Sequence, residues 1–305
     1  MNLFKRKKIL VTHNGTFHAD DIFACATLSI LNNGNIKVIR TRDPKIFENG
    51  DYVFDVGGVY NPEKNRFDHH QKGGAGVREN GVPYASFGLV WKHFGIKLCD
   101  EDKEVWQLID KKIVAHIDCI DNGVDFLEIK FKDVFCFSGD QNFLIYLPTW
   151  DEKNKDIDKV FIEQVKKASL FLKREIEVAR SDTKGKNIIL DNYKNAEDKR
   201  VVIVEKDFSR YLYQKILSEL IDPVYIILPS DTAVAWKVEA IIKNPSTLES
   251  RKPFPESWRG MFNGDQKLKD LTGVSDTVFC HRSGFLITVK SKQGAIALAK
   301  KALEN

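Results

Sequence analysis

Two short apolar runs near the N-terminus constrain this chain most: KILVTH, ending on His13, and DYVFDVGG, in which Asp55 precedes Gly57 and Gly58. Each reads as a buried strand that stops on a side chain suited to a metal or a phosphate, where an ordinary strand would simply run into a turn. Between them, FHADDIFACATLSILNN has helical spacing and ends at Asn-Gly, and NIKVIRT reads as a further strand. Strand–helix–strand alternation of this kind predicts a mostly parallel sheet flanked by helices. In such sheets ligands collect beyond the carboxyl ends of the strands.

The rest of the chain extends the α/β pattern. Helical spacing recurs around 84–95 and 100–117, and residues 153–180 form a charged amphipathic run with apolar Ile157, Val160, Phe161, Val165, Ala168, Leu172 and Ile176. After it, RVVIVEK, DPVYIILPS and TAVAWKVEAII read as strands, with a helix at 208–220. DTVFCH and GFLITV add two more, and a last helix covers 291–303. At 305 residues the chain is too long for one small core. The expected organisation is a first domain over 1–150, a linking helix over 151–184, and a smaller mixed α/β domain over 185–305.

Composition removes several classes. No apolar run reaches the roughly 18 residues needed to cross a bilayer, and the basic start MNLFKRKK lacks the apolar stretch and cleavage site of a signal peptide. The net charge of 47 − 43 = +4 is compatible with a phosphate-bearing substrate but does not require one. Cys25, Cys99, Cys119, Cys136 and Cys280 are scattered, odd in number and never form C-x-x-C. Free thiols in a reducing, cytoplasmic compartment are expected, with import into an organelle left open.

Beyond those strand ends, chemistry concentrates in three segments. NGTFHADD places His18, Asp20 and Asp21 at a helix opening, and NRFDHHQKGG sets Asp68, His69 and His70 side by side. AHIDCIDNG adds His116, Asp118 and Asp121. Five of the seven histidines, with His13, lie in these segments. Taken singly, Asp20 and Asp21 could merely complement a helix dipole, and Asp55 and Asp121 could be turn residues. Together they form a mixed imidazole–carboxylate set, which suits Mn²⁺, Fe²⁺, Co²⁺ or Zn²⁺ better than Ca²⁺. The donors outnumber the needs of one ion, so two ions sharing a bridging carboxylate, about 3.5–4 Å apart, fit better.

The order His13…His18-x-Asp20, Asp55-x-Gly57, Asp68-His69-His70, then Asp121, resembles the four-motif signature of the DHH phosphoesterases. THNGTFHADD, RTRDP, DVGGVYNPEKNRFDHHQ, DNG, SWRG and CHRSGF together are more similar still to the melanocyte-proliferating-gene family of metal-dependent hydrolases and RNA exonucleases. The resemblance runs from residue 10 to near the C-terminus. It implies that His13 and His18 ligate a first metal, that Asp55 bridges to a second, and that Asp20, His69 and Asp121 complete the second site. Mn²⁺ is the first choice, with Mg²⁺, Co²⁺, Fe²⁺ or Zn²⁺ as other fits. His70 would meet the substrate phosphate and Asp68 would orient a histidine. The common DHH motif has aspartate where His18 stands, and Asp118 competes with Asp121 for the fourth motif.

The resemblance also makes 1–150 a DHH-like catalytic domain and 185–305 a substrate-binding domain. The GGGH stretch of RecJ-like relatives is missing; His281, Arg282 and Ser283 of CHRSGF, and Arg259 of SWRG, are candidate replacements. Arg40 and Arg42 of RTRDP could reach phosphate, or simply end a surface strand. The expected activity is exonucleolytic trimming of single-stranded RNA or short oligonucleotides, with no membrane involved and a homo-oligomer compatible. The rivals are a small-molecule phosphatase or pyrophosphatase with the same metal pair, and a non-catalytic protein that keeps metals for structure. A Cys119–His116 hydrolase is a weaker fourth reading.

Overall fold

The computed structural model describes residues 6–128, 130–134, 136–153, 156–230, 235–244, 248–262 and 265–305. The first five residues of the basic start and 232–234 of the TAVAWKVEAII run lie outside them. The chain divides into two compact units, Met1–Arg180 and Ser181–Asn305.

In the first unit the order is β1 (Lys8–Thr12), α1 (Ala19–Leu31), β2 (Ile36–Arg40), the short α2 (Pro44–Phe47), β3 (Tyr52–Phe54), β4 (Tyr60–Asn61) and β5 (Arg66–Phe67). These strands form one sheet in the order β2-β1-β3-β5-β4. All neighbours are parallel except the β4–β5 edge pair. Then come α3 (Ser86–Leu98), α4 (Lys103–Ile109), a π-helical stretch (Asp110–Val114), α5 (Ala115–Asp121), α6 (Gln141–Leu144) and α7 (Ile157–Asn195).

The alternation of strand side chains assigns the two faces. Leu10, Phe54 and Phe67 pack with Ile22 and Phe23 of α1, Phe87 and Trp91 of α3, and Phe161, Val165 and Leu172 of α7. Full burial of each such side chain contributes about 1.5–3 kcal/mol. On the opposite face, among the described residues, Val11, Val53 and Val56 cluster with Ile9, Ile39 and, from the small α2, Ile46 and Phe47. Helical cover is therefore heavy on one face and slight on the other.

The start of α3 is held from outside. Its N-cap, Ala85, has no side-chain oxygen. Asp20 of α1 accepts the Ser86 and Phe87 N–H groups at 3.0 and 2.6 Å, and Asp118 of α5 accepts the Gly88 N–H at 3.0 Å. Asp118 is paired in turn with Arg78 at 2.6 Å, while the same guanidinium forks onto Asp110 at 3.1 and 3.0 Å. A Cβ on Gly88 would lie 1.9 Å from the Asp118 carboxylate, so glycine is needed for α3 to approach α5.

The second unit contains β6 (Val201–Ile203), α8 (Arg210–Ser218), β7 (Tyr225–Ser230), β8 (Ala235–Ala240), α9 (Gln266–Thr272), β9 (Thr277–Cys280), β10 (Leu286–Val289) and α10 (Lys292–Glu304). The sheet order is β6-β7-β8-β10-β9, with β6–β7 parallel and the other pairs antiparallel. Along β7, Tyr225 and Ile227 face Ala295, Leu298 and Ala299 of α10. Ile226 and Leu228 face Tyr213 and Leu217 of α8 and Ile189 of α7. Burial on both faces explains why this strand is a continuous apolar run.

α7 continues to Asn195, past the 180 at which the apolar run was read to end. Ile189 extends its buried stripe, and Gly185 is where Phe208 and Leu212 come close: a Cβ there would be 2.7 Å from the Leu212 side chain. Among the described residues no helix is long and apolar enough to cross a membrane.

Replacing Arg78 with Met is expected to cost about 3–5 kcal/mol, because Asp118 would be left as a buried, uncompensated charge. Gly88→Ala should destabilise as well, through the α3–α5 clash. Urea unfolding followed by circular dichroism measures both, and an unchanged midpoint would contradict this account of α3.

Candidate metal centre

Because β2, β1, β3 and β5 lie side by side and parallel, the residues that follow their carboxyl ends share one rim. His13 follows β1, Asp55 follows β3, Asp68–His70 follow β5, and Arg42 lies two residues beyond β2. Asp55 adopts φ +52°, a left-handed conformation that aspartate tolerates better than most residues. Gly57 and Gly58 at φ +100° and +65° then turn the chain, and the Gly58 N–H donates to Asp68.

Three overlapping groups have ligand atoms within 4.8 Å of one another: His13, His18 and Asp55; Asp20, His69 and Asp121; and Asp55, His69 and His70. Asp55 is common to the first and third. The His13 Nδ1–H donates to the Asn14 carbonyl at 3.1 Å. This leaves Nε2 to face Asp55 Oδ2 at 3.1 Å and Asp21 Oδ2 at 3.2 Å. His69 Nε2 lies 3.1 Å from Asp121 Oδ2 and 3.6 Å from Asp55 Oδ1. A cleft of about 410 Å³ opens over the cluster, lined by His13, His18, Asp55, Asp68, His70 and Asp121, with Arg42 at its wall.

The two adjacent histidines behave differently. The His69 side chain is 7% exposed and turned into the carboxylates, whereas that of His70 is 62% exposed. His70 Nδ1 bonds Asp68 Oδ1 at 2.7 Å, and its backbone N–H reaches the same oxygen at 3.1 Å.

Negative charge is crowded here. Burial, then the charges of Asp121, Asp55 and Asp118, push the Asp20 carboxyl well above its usual range. Burial and the Asp55 charge push Asp21 up to about 7. For Asp55, burial is outweighed by His13, His69 and His70, which hold its carboxyl well below the usual range. Burial also opposes charge on His69, yet Asp121 and Asp55 raise it to about 11. The Asp68 contact raises His70, against burial and the neighbouring His69.

The donor set fits a divalent cation. Asp21 Oδ2, Asp55 Oδ1 and His69 Nε2 are buried and make no hydrogen bond, although all three belong to this cluster. An unsatisfied buried carboxylate oxygen and an imidazole nitrogen 3.6 Å apart, Asp55 Oδ1 and His69 Nε2, are what a cation would satisfy. His13, His18 and Asp55 form one candidate set, and Asp20, His69 and Asp121 another. Asp20 retains lone pairs for such a role even while it caps α3.

Other candidates fall elsewhere. Asp118 is fully occupied by Arg78 and the α3 backbone. His116 stands edge-on to Phe126 at 5.1 Å and lines a separate pocket with Phe23 and Phe143. Cys119 is buried, and burial pushes its thiol up, away from the reactive thiolate. Asp21 is the residue the ligand reading left out; the doubled aspartate of HADD was its signal, masked by its role in accepting the His18 N–H at 2.9 Å.

In the second unit His281, Arg282 and Ser283 form the tight turn between β9 and β10, with His281 Nδ1 2.8 Å from Ser283 Oγ. Arg259 packs behind it. A Cβ on Gly284 would sit 2.6 Å from Arg259 Nε, and Gly284 has φ +70°, so both space and backbone require glycine.

Fold and site thus define a two-unit α/β protein with a candidate metal centre at the strand ends of its first unit. A family model named MYG1_exonuc, described as "Uncharacterised protein family (UPF0160)", matches residues 9–303. The chain belongs to this MYG1 family. It is 32% identical to the MYG1 exonuclease of Mus musculus over 96% of this chain and 84% of the mouse protein. It is 30% identical to a MYG1 protein of Schizosaccharomyces pombe over 97% of both, and 29% identical to the MYG1 exonuclease of Homo sapiens over 96% and 85%.

Mn²⁺ should raise the melting temperature of metal-stripped protein, and EDTA should reverse the gain. A ligand at a hundredfold excess over its Kd adds about 2.7 kcal/mol. Asp55→Asn, which keeps a side chain that tolerates positive φ, should lose most of this response. Differential scanning fluorimetry reads the effect, and a melting temperature indifferent to Mn²⁺ would contradict the assignment.

Proposed function

We propose that this chain is a divalent-metal-dependent phosphodiesterase, an exonuclease that trims single-stranded RNA or short oligonucleotides. The observation that carries the reading is the division of labour within Asp68-His69-His70: one imidazole buried among carboxylates, the other exposed over the cleft and aligned by Asp68. A protein that kept metals only for structure would have no use for the second imidazole. The mammalian relatives named exonuclease, at about 30% identity, support the same class.

His13, His18 and Asp55 would hold one ion and Asp20, His69 and Asp121 the other, with Asp55 between them and Mn²⁺ the preferred metal. When bound, such a pair supplies charge neutralisation and an activated water for in-line attack on phosphorus. The chain's own residues do the rest. Asp68 fixes the His70 ring through Nδ1 and leaves Nε2 to deliver a proton to the leaving oxygen. In the second unit, the His281–Ser283 turn with Arg282 exposed, backed by Arg259, offers donors for a terminal phosphate or ribose.

With Mn²⁺ and a 5′-labelled short RNA, wild-type protein should shorten the label stepwise and Asp55→Asn should not. His70→Ala should lose about 10²–10⁴-fold in rate while keeping the Mn²⁺-induced rise in melting temperature. Orthophosphate release from small esters with RNA left intact would favour a phosphatase. Metal binding without any hydrolysis would favour a non-catalytic protein.

A further inference from the structure

Arg40 and Arg42 leave β2 two residues apart, and the structure gives them different environments. The Arg40 side chain is 2% exposed and engaged through both terminal nitrogens: Nη1 bonds Asp158 and Nη2 the Gly15 carbonyl, both at 2.7 Å, and its guanidinium lies 4.6 Å over the Phe161 ring. It ties the loop after β1 to α7. Arg42 is exposed, lines the cleft over the metal cluster, and makes no hydrogen bond or ion pair among the described residues. Its neighbour Asp43 makes no ion pair with it; that carboxylate accepts the Lys45 N–H at the start of α2.

The cleft has an unusual charge balance. Asp55, Asp68 and Asp121 line it, with Asp20 and Asp21 buried behind, and Arg42 is the one lysine or arginine among its described lining residues. Carboxylates repel an incoming anion and the ligating imidazoles offer it no free N–H; beside the metals and His70, Arg42 is the permanent cation that lines the cleft and is free to receive it. Guanidinium is planar and always charged, and it can grip two phosphate oxygens at once.

We propose that Arg42 is a substrate-binding residue whose guanidinium receives the non-bridging oxygens of the substrate phosphate in this cleft. The inference rests on the phosphoester reading above and narrows it: the site selects an anionic phosphate by a direct side-chain contact as well as by its metals. Arg42 stands next to His13 in the series of strand ends, so the phosphate is gripped beside the His13–His18–Asp55 group.

The test uses the full chain, loaded with Mg²⁺, in wild-type, Arg42→Gln and Arg42→Lys forms. Inorganic phosphate binding is measured by calorimetry and RNA hydrolysis by steady-state kinetics. Arg42→Gln should weaken phosphate binding and raise KM about tenfold or more, the scale of one charge-assisted hydrogen-bonded contact. Its kcat should change little. Arg42→Lys should recover only part of the binding, because a point charge cannot reproduce the fork. The Mg²⁺-induced rise in melting temperature should be the same in all three, which a merely structural role would not give.

Phosphate binding that is absent in wild type, or equal in wild type and Arg42→Gln, overturns the proposal whether or not RNA is cut. Phosphate binding that depends on Arg42 in a protein that leaves RNA intact supports this inference and removes the nuclease reading.

Discussion

The start of α3 is the interaction on which the rest of the first unit depends. A helix begins with backbone N–H groups that have no partner within it, and Ala85 cannot supply one. Asp20 and Asp118, buried carboxylates from α1 and α5, take the first three of these donors. That requirement fixes both helices against α3. Asp20 stands in the first turn of α1, and Asp121 is one turn beyond Asp118 on α5. The contacts that satisfy α3 therefore also bring Asp20 and Asp121 to His69.

Arg78 secures this arrangement from the opposite side. It grips Asp110 where the π-helical stretch starts and Asp118 after it ends. A π segment shifts the register of the helix that follows, and here it turns α5 so that Asp118 points at α3 and Asp121 at the cluster. Buried polar groups are tolerated because their donors and acceptors are matched. In the cluster itself the matching stops: Asp21, Asp55 and His69 each keep an unsatisfied atom. The Arg78–Asp110–Asp118 ion pairs and the candidate metal centre differ in that respect.

Much of this was legible in the sequence. His13 and Asp55 stood out because a polar side chain at the end of a buried strand is informative, and the parallel sheet explains why such ends converge. The doubled histidine was read as having two roles; the structure buries His69 and exposes His70. What could not be read depends on contacts far apart in sequence. Asp118 and Asp121 share one short segment, and only Arg78 and Gly88, 40 and 30 residues away, separate them. His116 looked equivalent but faces Phe126 and a different pocket. Arg40 and Arg42 likewise differ only through Asp158, Gly15 and Phe161. The helices expected to flank the first sheet lie mainly on one face, since strand spacing does not report how large a crossover element is.

In the proposed function, Asp55 stands between two metal positions. Crystals of the protein grown with Mn²⁺ and measured at the manganese absorption edge would locate both. Two anomalous peaks are expected about 3.5–4 Å apart, one beside His13, His18 and Asp55, the other beside Asp20, His69 and Asp121. A single peak, or peaks remote from Asp55, would contradict that placement.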